Sequence, residues 1–475
     1  MKKIVIIGGG IAGLASAYRI QEEISNGASL ECTVLEGSDK FGGKISTDRR
    51  NGFIVERGPD SFISQKPWAI ELCKKLGLGD SLVGTNPDFS STYVYTGKKM
   101  VTMPDGLSLM IPTKFLPFAL TPLFSWPGKI RMAMDLIIPK KSDDSDESLH
   151  SFVMRRLGDE ALKKMAEPML AGIYASDPKK MSIKSTFPMF VQTEQKYRSL
   201  ILGMLARKRQ MGGNNNSQKG KPRPFSLFVT LKNGLGEMVD TLIEKSPAVE
   251  FCSGTRAQSV APNGAGWNVE LEGGESLAAD AVILATPANL SARLIESPAP
   301  EVARLLNRIN YVSTATVSIA YKKEGFPHPL NGFGFVIPRV ENRKILACTW
   351  TSSKFPQRVP ENFVMLRCFV GGATREELAK QDEDAIAAMV KQELFDIMGI
   401  DKEPVFCRVF HNRKANVQYH VGHANLIQSI GEALKTCPGL FLAGSAYTGI
   451  GIPDCVLNGT KTSESVLNYI NKKSN

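Results

Sequence analysis

Residues 3–14 read KIVIIGGGIAGL, an apolar run that ends in three glycines and then resumes with helical spacing. The continuous apolar run Ile4–Ile7 predicts a strand that is buried on both faces. Gly8-Gly9-Gly10-Ile11-Ala12-Gly13 contains the pattern G-x-G-x-x-G between this strand and a helix. Gly8 permits the tight turn, Gly10 lets the backbone approach a pyrophosphate, and Gly13 allows close packing of helix on strand. The stretch predicts a dinucleotide whose phosphates lie at the helix N-terminus.

A second predicted strand, ECTVLE at residues 31–36, completes a β–α–β unit that ends in a carboxylate. Glu36 follows Gly13 by 23 residues, the place where an acidic side chain can accept hydrogen bonds from both ribose hydroxyls. A glycine-rich turn beside an unrelated surface glutamate is the alternative interpretation. The unit favours a Rossmann-like nucleotide-binding domain.

Two further glycine motifs distinguish a flavin from a nicotinamide. Gly42-Gly43-Lys44 follows Glu36 within eight residues, and Gly449-Ile450-Gly451-Ile452 leads into a predicted helix that starts at Pro453. A nicotinamide enzyme has no need of the second glycine pair, whereas an extended flavin dinucleotide requires close backbone approach. The N-terminus of the late helix could face the flavin and stabilise the anion formed on reduction. FAD is therefore the predicted cofactor.

Composition limits the remaining classes of protein. The chain has 475 residues, of which 43% are hydrophobic and 22% charged, and this predicts two or three globular domains. Its formal charge of +11 would suit nucleic acid, an anionic membrane or an acidic small substrate, or would serve solubility alone. No zinc-finger spacing or arginine-rich helix is present in the sequence, so no nucleic-acid partner is expected.

The cysteines and the apolar segments bear on location. Eight dispersed cysteines without a CxxC pair suggest reduced thiols, and the first strand begins at residue 4, so a cytoplasmic protein is expected. Residues 107–139 are apolar but are interrupted by four prolines, which argues against a transmembrane span. The segment could form the wall of a groove or touch a membrane peripherally.

The order of patterns along the chain predicts interleaved domains. The expected fold class is α/β plus α+β, in which a Rossmann-like FAD-binding domain is interleaved with an antiparallel-sheet substrate domain and a helical insertion. Helical breaks are expected at Pro168, Pro178 and Pro188. The predicted segments are 1–84, 225–295 and 405–475 for FAD binding, 85–224 for the substrate groove and helical domain, and 296–404 for the substrate sheet.

Several blocks together resemble a known family. The fingerprint, Glu36, Gly42–Lys44, Arg57-Gly58-Pro59-Asp60-Ser61 and Gly449–Asp454 are similar to the protoporphyrinogen oxidase branch of the amine-oxidase-like flavoproteins. Other blocks resemble the Gram-positive type of that branch: Ile111–Lys114, Glu167-Pro168, Ala171–Tyr174, Ser185–Pro188, Gln192–Lys196 and Gln418–His423. The resemblance covers essentially the whole chain.

The resemblance implies a flavin oxidase of heme synthesis. For the Gram-positive type it implies oxidation of coproporphyrinogen III to coproporphyrin III. Other members of the family oxidise protoporphyrinogen IX. Six electrons and six protons leave in three rounds, each of which reduces dioxygen to hydrogen peroxide. It also implies transient contact with ferrochelatase-type or decarboxylase enzymes of the heme pathway.

The predicted cofactor-binding residues are Gly8, Gly9, Gly10, Ile11, Ala12, Gly13, Glu36, Gly37, Gly43, Lys44, Gly58, Pro59, Asp60, Ser61, Val260, Gly444, Ile450, Gly451 and Ile452. Two positions depart from the family pattern. Asn412 and Val417 replace the Trp and Pro of a Trp-x-x-Ala-x-Pro-Gln-Tyr motif, so the resemblance implies no aromatic stacking on FAD there. Phe369 stands where tyrosine is frequent, so no phenolic hydroxyl acts at that position.

The implied chemistry needs few side chains. A methylene bridge between pyrroles donates hydride to the flavin and the pyrrole protons leave to water, so no catalytic side chain is assigned. His420 and His423 lack a third nearby ligand, and no metal is predicted.

Substrate carboxylates call for cations in an apolar groove. The predicted substrate-binding residues are Lys66, Tyr174, Lys184, Lys196 and Arg198, for which solvated surface charge or core packing is the alternative. Protoporphyrinogen IX oxidase, flavin amine oxidase and a non-enzymatic FAD-binding module are the rival functions.

Overall fold

The computed structural model describes residues 1–104, 107–108, 111–112, 115–213 and 225–474. Two compact units are present, and each is assembled from segments distant in sequence. The first comprises Met1–Thr85, Phe225–Asn310 and Asn425–Asn475, and the second comprises Asn86–Pro224 and Tyr311–Ala424. The domain boundaries expected from the sequence stay predictions, because compactness alone assigns no function to a segment.

The strands, in chain order, are β1 (Lys2–Ile7), β2 (Leu30–Leu35), β3 (Thr47–Arg50), β4 (Phe53–Glu56), β5 (Phe62–Ile63), β6 (Leu82–Gly84), β7 (Thr92–Thr96), β8 (Lys99–Thr102), β9 (Leu107–Ser108), β10 (Ile111–Pro112), β11 (Phe228–Leu231), β12 (Val249–Cys252), β13 (Ala257–Asn263), β14 (Gly266–Leu271), β15 (Ser276–Ala279), β16 (Ala281–Leu284), β17 (Asn310–Lys322), β18 (Gly334–Val336), β19 (Ile345–Trp350), β20 (Phe363–Gly371), β21 (Phe406–Gln418) and β22 (Leu440–Leu442).

The α-helices are α1 (Ile11–Ser25), α2 (Trp68–Lys75), α3 (Phe115–Leu120), α4 (Trp126–Ala133), α5 (Leu149–Arg156), α6 (Asp159–Ala161), α7 (Gly172–Tyr174), α8 (Ile183–Thr186), α9 (Pro188–Tyr197), α10 (Leu200–Gly213), α11 (Gly236–Glu244), α12 (Ala288–Leu294), α13 (Pro300–Leu306), α14 (Thr351–Lys354), α15 (Glu383–Met398), α16 (His423–Leu434) and α17 (Ile452–Ser474).

The first unit is built on a parallel sheet of five strands in the order β12-β2-β1-β16-β22. Strand β1 is central, and its residue Ile4 pairs with Cys32 on one side and with Ala281 on the other. The four apolar residues Ile4–Ile7 are all buried, as expected for a parallel strand covered on both faces. The fingerprint therefore follows the middle strand of the sheet, at its carboxyl end, where open α/β sheets bind ligands.

Helices α1 and α17 pack against each other through small residues. A Cβ on Gly459 would lie 2.2 Å from the carbonyl oxygen of Ala12, and Ser16 Oγ donates to the Gly459 carbonyl over 2.9 Å. Four residues further along both helices, Ser463 Oγ donates to the Ser16 carbonyl over 3.1 Å. The contacts advance in the same direction along both helices. Their N-termini, and so their positive dipole ends, therefore point the same way.

The second unit contains a sheet of seven strands in the order β21-β17-β20-β19-β18-β7-β8. Apart from the parallel pair β18–β7, the described pairings are antiparallel. Its core includes Trp350, Tyr321 and Phe335, which are almost fully buried. With the parallel sheet of the first unit and the helical stretch 115–213, this arrangement confirms the predicted fold class.

The helical stretch contains one departure from expectation. A break is predicted at Pro168, but Leu162–Ala171 forms a π-helix that runs through this proline into α7. A wider helical turn offers a place for a residue that lacks an N–H donor. Pro188, by contrast, is the first residue of α9, where proline is favoured.

Candidate active site

The three glycines of the fingerprint have different surroundings. A Cβ on Gly8 would lie 2.8 Å from the backbone of Ala285, and one on Gly13 would lie 2.0 Å from the Gly8 carbonyl oxygen. Both positions therefore need glycine for the packing of strand and helix. A Cβ on Gly10 would meet no protein atom within 4 Å. The backbone at Gly10 thus faces open space, as the approach of a diphosphate requires.

The N-terminus of α1 is free to bind an anion. The N–H groups of its first turn, at Ile11, Ala12 and Gly13, have no acceptor within the helix. Gly10 is the N-cap residue, with no side chain to cap them, and the first turn has no acidic residue. A diphosphate suits this end of the helix, both for its unsatisfied donors and for the positive dipole.

Glu36 is anchored beside the fingerprint. Its Oε2 accepts a hydrogen bond from the Gly9 N–H over 2.9 Å, and its Oε1 accepts from the N–H and Oγ of Ser38 over 2.8 and 2.7 Å. The neighbouring Gly37 lies under Arg256, whose Nε would be 3.2 Å from a Cβ there. These bonds hold the carboxylate next to the glycine-rich turn, the position predicted for ribose binding.

The second glycine pair contacts the fingerprint directly. Gly42 donates its N–H to the Gly9 carbonyl over 2.8 Å, and Gly10 and Gly42 form a parallel bridge. A Cβ on Gly43 would lie 3.2 Å from Gly10 Cα. Both residues have positive φ, +107° and +57°, a conformation that favours glycine. The two glycine-rich turns therefore border the open space at Gly10, which is called the cofactor recess below.

Lys44 reaches this recess from the same turn. Its Nζ lies 3.5 Å from Ser445 Oγ, after the carboxyl end of β22. The side chain is accessible to solvent, yet surrounding protein lowers the pKa of the ammonium through desolvation. A lysine that is accessible to solvent but surrounded by protein fits a position inside the cofactor recess. An anionic ligand bound there would stabilise the charged form of Lys44.

The turn 57–61 packs against Lys44 as backbone on backbone. A Cβ on Gly58 would lie only 1.9 Å from the Lys44 carbonyl oxygen. The Asp60 carbonyl accepts from Thr230 Oγ1 over 2.9 Å, and Ser61 Oγ donates to Asp60 Oδ1 over 2.7 Å. Pro59 lies inside this turn. Gly58, Pro59, Asp60 and Ser61 are thus placed next to the second glycine pair.

The late glycine motif leads into α17, which begins at Ile452, one residue before the predicted start. Gly449 has φ +144°, and a Cβ there would lie 2.5 Å from the carboxyl carbon of Asp454. Lys66 Nζ bonds both carboxylate oxygens of Asp454, over 2.6 and 2.7 Å. Ile450 and Gly451 form the rest of this turn.

Two residues of α17 lie outside the predicted set. Asn458 Oδ1 accepts from the Gly444 N–H over 2.7 Å and so ties the helix to the end of the parallel sheet. Asp454 and Asn458 are four residues apart and share one helix face. That spacing was the available signal in the sequence. Val260 is buried in β13, in the three-stranded sheet β13-β14-β15, and its role in cofactor binding stays a prediction.

The predicted propionate-binding cations fall into two groups. Lys66 is paired with Asp454, and Lys184 Nζ lies 3.0 Å from Asp144 Oδ2. Lys196 and Arg198 are exposed near the end of α9 and have no ion-pair partner among the described residues. The Lys196 ammonium lies 5.2 Å from the Tyr197 ring, and Arg198 donates to the Leu136 carbonyl over 3.0 Å. The second group keeps its charge available.

Tyr174 lies in a polar and aromatic cluster of the second unit. Its ring makes an edge contact with Phe187 at 5.8 Å, and its carbonyl accepts from Gln418 Nε2 over 3.1 Å. Gln418 in turn accepts from Ser176 Oγ over 2.6 Å. The nearby His423 stacks on a tyrosine ring, and no cluster of metal-binding side chains occurs in the part of the chain that the structure describes.

The apolar segment 107–139 is described only in part. Within it, five large side chains are exposed by 63% or more: Leu116, Leu120, Trp126, Ile130 and Ile137. Lys129 lies over the Trp126 ring at 4.7 Å. The described helices include none that is long and apolar enough to span a membrane.

Comparison with known proteins identifies the family of this chain. A family model described as flavin containing amine oxidoreductase matches residues 11–467. The chain belongs to this family. Membership confirms the predicted flavin, and the cofactor is FAD.

Relatives cover the whole length of this flavoprotein. It is 39% identical over 471 residues to coproporphyrinogen III oxidase of Bacillus subtilis, covering 99% of this chain and 98% of the relative. A protein of the same name from Staphylococcus aureus is 32% identical, with 98% and 99% covered. The solved structure of a protein assigned as protoporphyrinogen oxidase from Exiguobacterium superposes with a TM-score of 0.85 at 32% identity, covering 98% of both chains. The resemblance stated from the sequence is therefore confirmed.

Proposed function

We propose that this flavoprotein oxidises coproporphyrinogen III to coproporphyrin III in heme biosynthesis, with dioxygen as the acceptor. The observation that carries the proposal is full-length similarity, at 39% identity, to a protein named coproporphyrinogen III oxidase. The reaction removes six hydrogens as three two-electron oxidations. Three molecules of dioxygen become three of hydrogen peroxide, so atoms and electrons balance.

FAD, when bound, would supply the acceptor for hydride from a methylene bridge and the route by which electrons reach dioxygen. The protein's own residues hold and orient it. The Gly8–Gly13 turn and the first-turn N–H groups of α1 would hold the diphosphate, and Glu36 would accept hydrogen bonds from the ribose hydroxyls. The positive N-terminal end of α17 would stabilise negative charge on the flavin ring system. Lys44 adds a positive charge to the same recess.

Substrate binding needs cations that are not already neutralised. Coproporphyrinogen III carries four propionates, whereas protoporphyrinogen IX carries two. Lys196 and Arg198 are the leading candidates, because a propionate at Lys66 or Lys184 would compete with Asp454 or Asp144. Tyr174 is proposed as a substrate contact. No side chain is required as acid or base, since the pyrrole protons leave to water.

Oxidation of protoporphyrinogen IX is the alternative. Relatives named protoporphyrinogen oxidase match 98% of this chain or more, at 26% identity for one from Arabidopsis thaliana and 30% for one from Bos taurus. A flavin amine oxidase is a weaker alternative, because solved structures of putrescine oxidase are only 14–16% identical and support the fold alone.

The deciding experiment supplies the FAD-loaded protein with both porphyrinogens under the same conditions and follows porphyrin fluorescence and peroxide. A higher kcat/KM with coproporphyrinogen III is expected. Equal or better turnover of protoporphyrinogen IX would contradict the substrate assignment, and bleaching of the flavin by amines alone would favour an amine oxidase. Flavin that no porphyrinogen or amine reduces anaerobically would indicate a non-enzymatic binding module.

We also propose a cytoplasmic location with peripheral contact to the membrane. The exposed apolar residues of α3 and α4, with Lys129 beside them, form the surface that would make it. Transient contact with ferrochelatase-type or decarboxylase enzymes of the pathway belongs to the same proposal. Sedimentation with vesicles, and cross-linking to the pathway enzymes, test the two separately.

A further inference from the structure

Lys66 and Asp454 form an ion pair at the N-terminus of the helix that follows the late glycine motif. The Lys66 ammonium bonds both carboxylate oxygens of Asp454, over 2.6 and 2.7 Å. The Asp454 side chain is 12% exposed and that of Lys66 is 44% exposed. The carboxylate is therefore largely desolvated, and its partner closes it off on the solvent side.

The carboxylate lies directly beneath the turn 449–451. A Cβ on Gly449 would lie 2.5 Å from its carboxyl carbon, and one on Gly451 would lie 3.1 Å from Oδ2. Cys455, the next residue, donates its N–H to the Gly451 carbonyl over 2.9 Å. Asp454 thus supports the backbone of the turn that leads into α17.

The charges of the pair and of Lys44 act on the same buried thiol, Cys455. Burial raises the pKa of Cys455 to about 12, while Lys44 and Lys66 act to lower this pKa and Asp454 acts to raise it. Lys44 belongs to the turn that contacts the fingerprint. Both members of the ion pair therefore act electrostatically on a thiol that also senses Lys44.

An unpaired carboxylate in the first turn would oppose the positive end of α17. That end corresponds to about half a positive charge, and an aspartate beside it can cancel the effect. The ammonium of Lys66 neutralises Asp454 without displacing it. The pair lets the protein use an aspartate to support the turn while the helix end keeps its positive potential.

We propose that Lys66 and Asp454 are positioning residues that set the electrostatic potential at the α17 N-terminus, and through it the reduction equilibrium of bound FAD. This role differs from propionate binding by Lys66. The inference rests on the proposed flavin chemistry but is independent of the substrate, because reduction potentials are measured without porphyrinogen. It treats the two residues as one unit whose net charge matters.

The test is a double-mutant cycle of Lys66 and Asp454 in which the midpoint potential of the FAD-loaded protein is measured. Lys66→Met leaves Asp454 unpaired. It is expected to lower the equilibrium constant for reduction of FAD about tenfold, which lowers the midpoint potential by about 30 mV for two electrons. Asp454→Asn keeps the shape of the side chain while removing its charge, and it should raise the midpoint potential. The double variant and Lys66→Arg should return close to the wild-type potential.

A matched control is available on the same unit. Lys75 on α2 pairs with Glu22 over 2.9 Å, and Lys75→Met should leave the potential unchanged. If Lys66→Met leaves the midpoint potential unchanged, the inference is overturned. If it also raises the KM for porphyrinogen, Lys66 binds a propionate instead. Should Asp454→Asn not fold, Lys66→Met and Lys66→Arg still decide the question. If the variants shift the midpoint potential as expected but the wild-type protein oxidises no porphyrinogen, the proposed function is refuted and this inference stands.

Discussion

The backbone N–H of Gly9 donates to Oε2 of Glu36 over 2.9 Å, so the turn after β1 is tied to the end of β2. Removing this carboxylate by Glu36→Ala is expected to weaken FAD binding about 10- to 100-fold, because one anchor of the turn and the predicted ribose acceptor are lost together. Fluorescence titration of the apoprotein with FAD measures the effect. Glu31→Ala on the same strand, whose carboxylate pairs with exposed Lys3 over 3.4 Å, is the control and should bind FAD normally.

Gly10 and Gly13 should respond differently to the same added methyl group. Gly13→Ala places a Cβ against the Gly8 carbonyl and is expected to lower the unfolding temperature of the apoprotein. Gly10→Ala meets no protein atom, so the apoprotein should keep its stability while losing FAD affinity. Thermal unfolding with and without FAD separates the two. If Gly10→Ala binds FAD like the wild type, the diphosphate does not lie at this turn.

The affinity for FAD is expected to depend on pH through Lys44. Desolvation lowers the pKa of Lys44 below its ordinary 10.5, and a bound diphosphate favours the charged form. Binding must then take up a proton once the pH exceeds the lowered pKa, so affinity falls as pH rises through it. Titrations between about pH 7 and about pH 10 should show this fall in the wild type and lose it in Lys44→Met. Lys40→Met, an exposed lysine of the same loop, should retain the wild-type dependence.

Lys196→Met and Arg198→Met are expected to raise the KM for coproporphyrinogen III, by about 3- to 30-fold each, with little change in the flavin spectrum. The cause is the loss of a charge that no described acidic residue neutralises. Lys184→Met should have a smaller effect, since Asp144 already pairs with that lysine over 3.0 Å. Steady-state kinetics with the three variants ranks them, and a larger effect at Lys184 would reverse the assignment.

Stability of the second unit is expected to depend on a buried ion pair. The side chains of Arg156 and Asp135 are fully buried, and Arg156 Nε donates to Asp135 Oδ1 over 2.6 Å. Arg156→Met leaves the carboxylate uncompensated and should cost about 3–5 kcal/mol of unfolding free energy. Chemical unfolding of the FAD-loaded protein measures it. Arg304→Met removes an exposed pair with Glu301 and should leave the free energy of unfolding nearly unchanged.

Local patterns in the sequence were enough for the fold class and the cofactor. An apolar strand, a glycine turn and a helix start are neighbours in the chain, so Gly8–Gly13 and Glu36 are readable without knowing the remaining contacts. The second glycine pair is equally local in character, and the prediction of FAD from it is confirmed by the family. Substrate identity came from resemblance rather than from these patterns.

Pairing between distant residues was decided by the tertiary structure alone. Lys66 and Asp454 are 388 residues apart in the chain, and no periodicity relates them. Gly444 and Asn458 are only 14 residues apart, but their hydrogen bond also forms only because a helix packs beside the end of a strand. At Pro168 the sequence pattern predicts a break, but the chain continues as a π-helix, whose wider turn accommodates a residue without an N–H donor. The sequence by itself determined which groups can hold a dinucleotide, since that chemistry lies in short turns. Which cations remain free for a substrate depends on partners that only folding brings into contact.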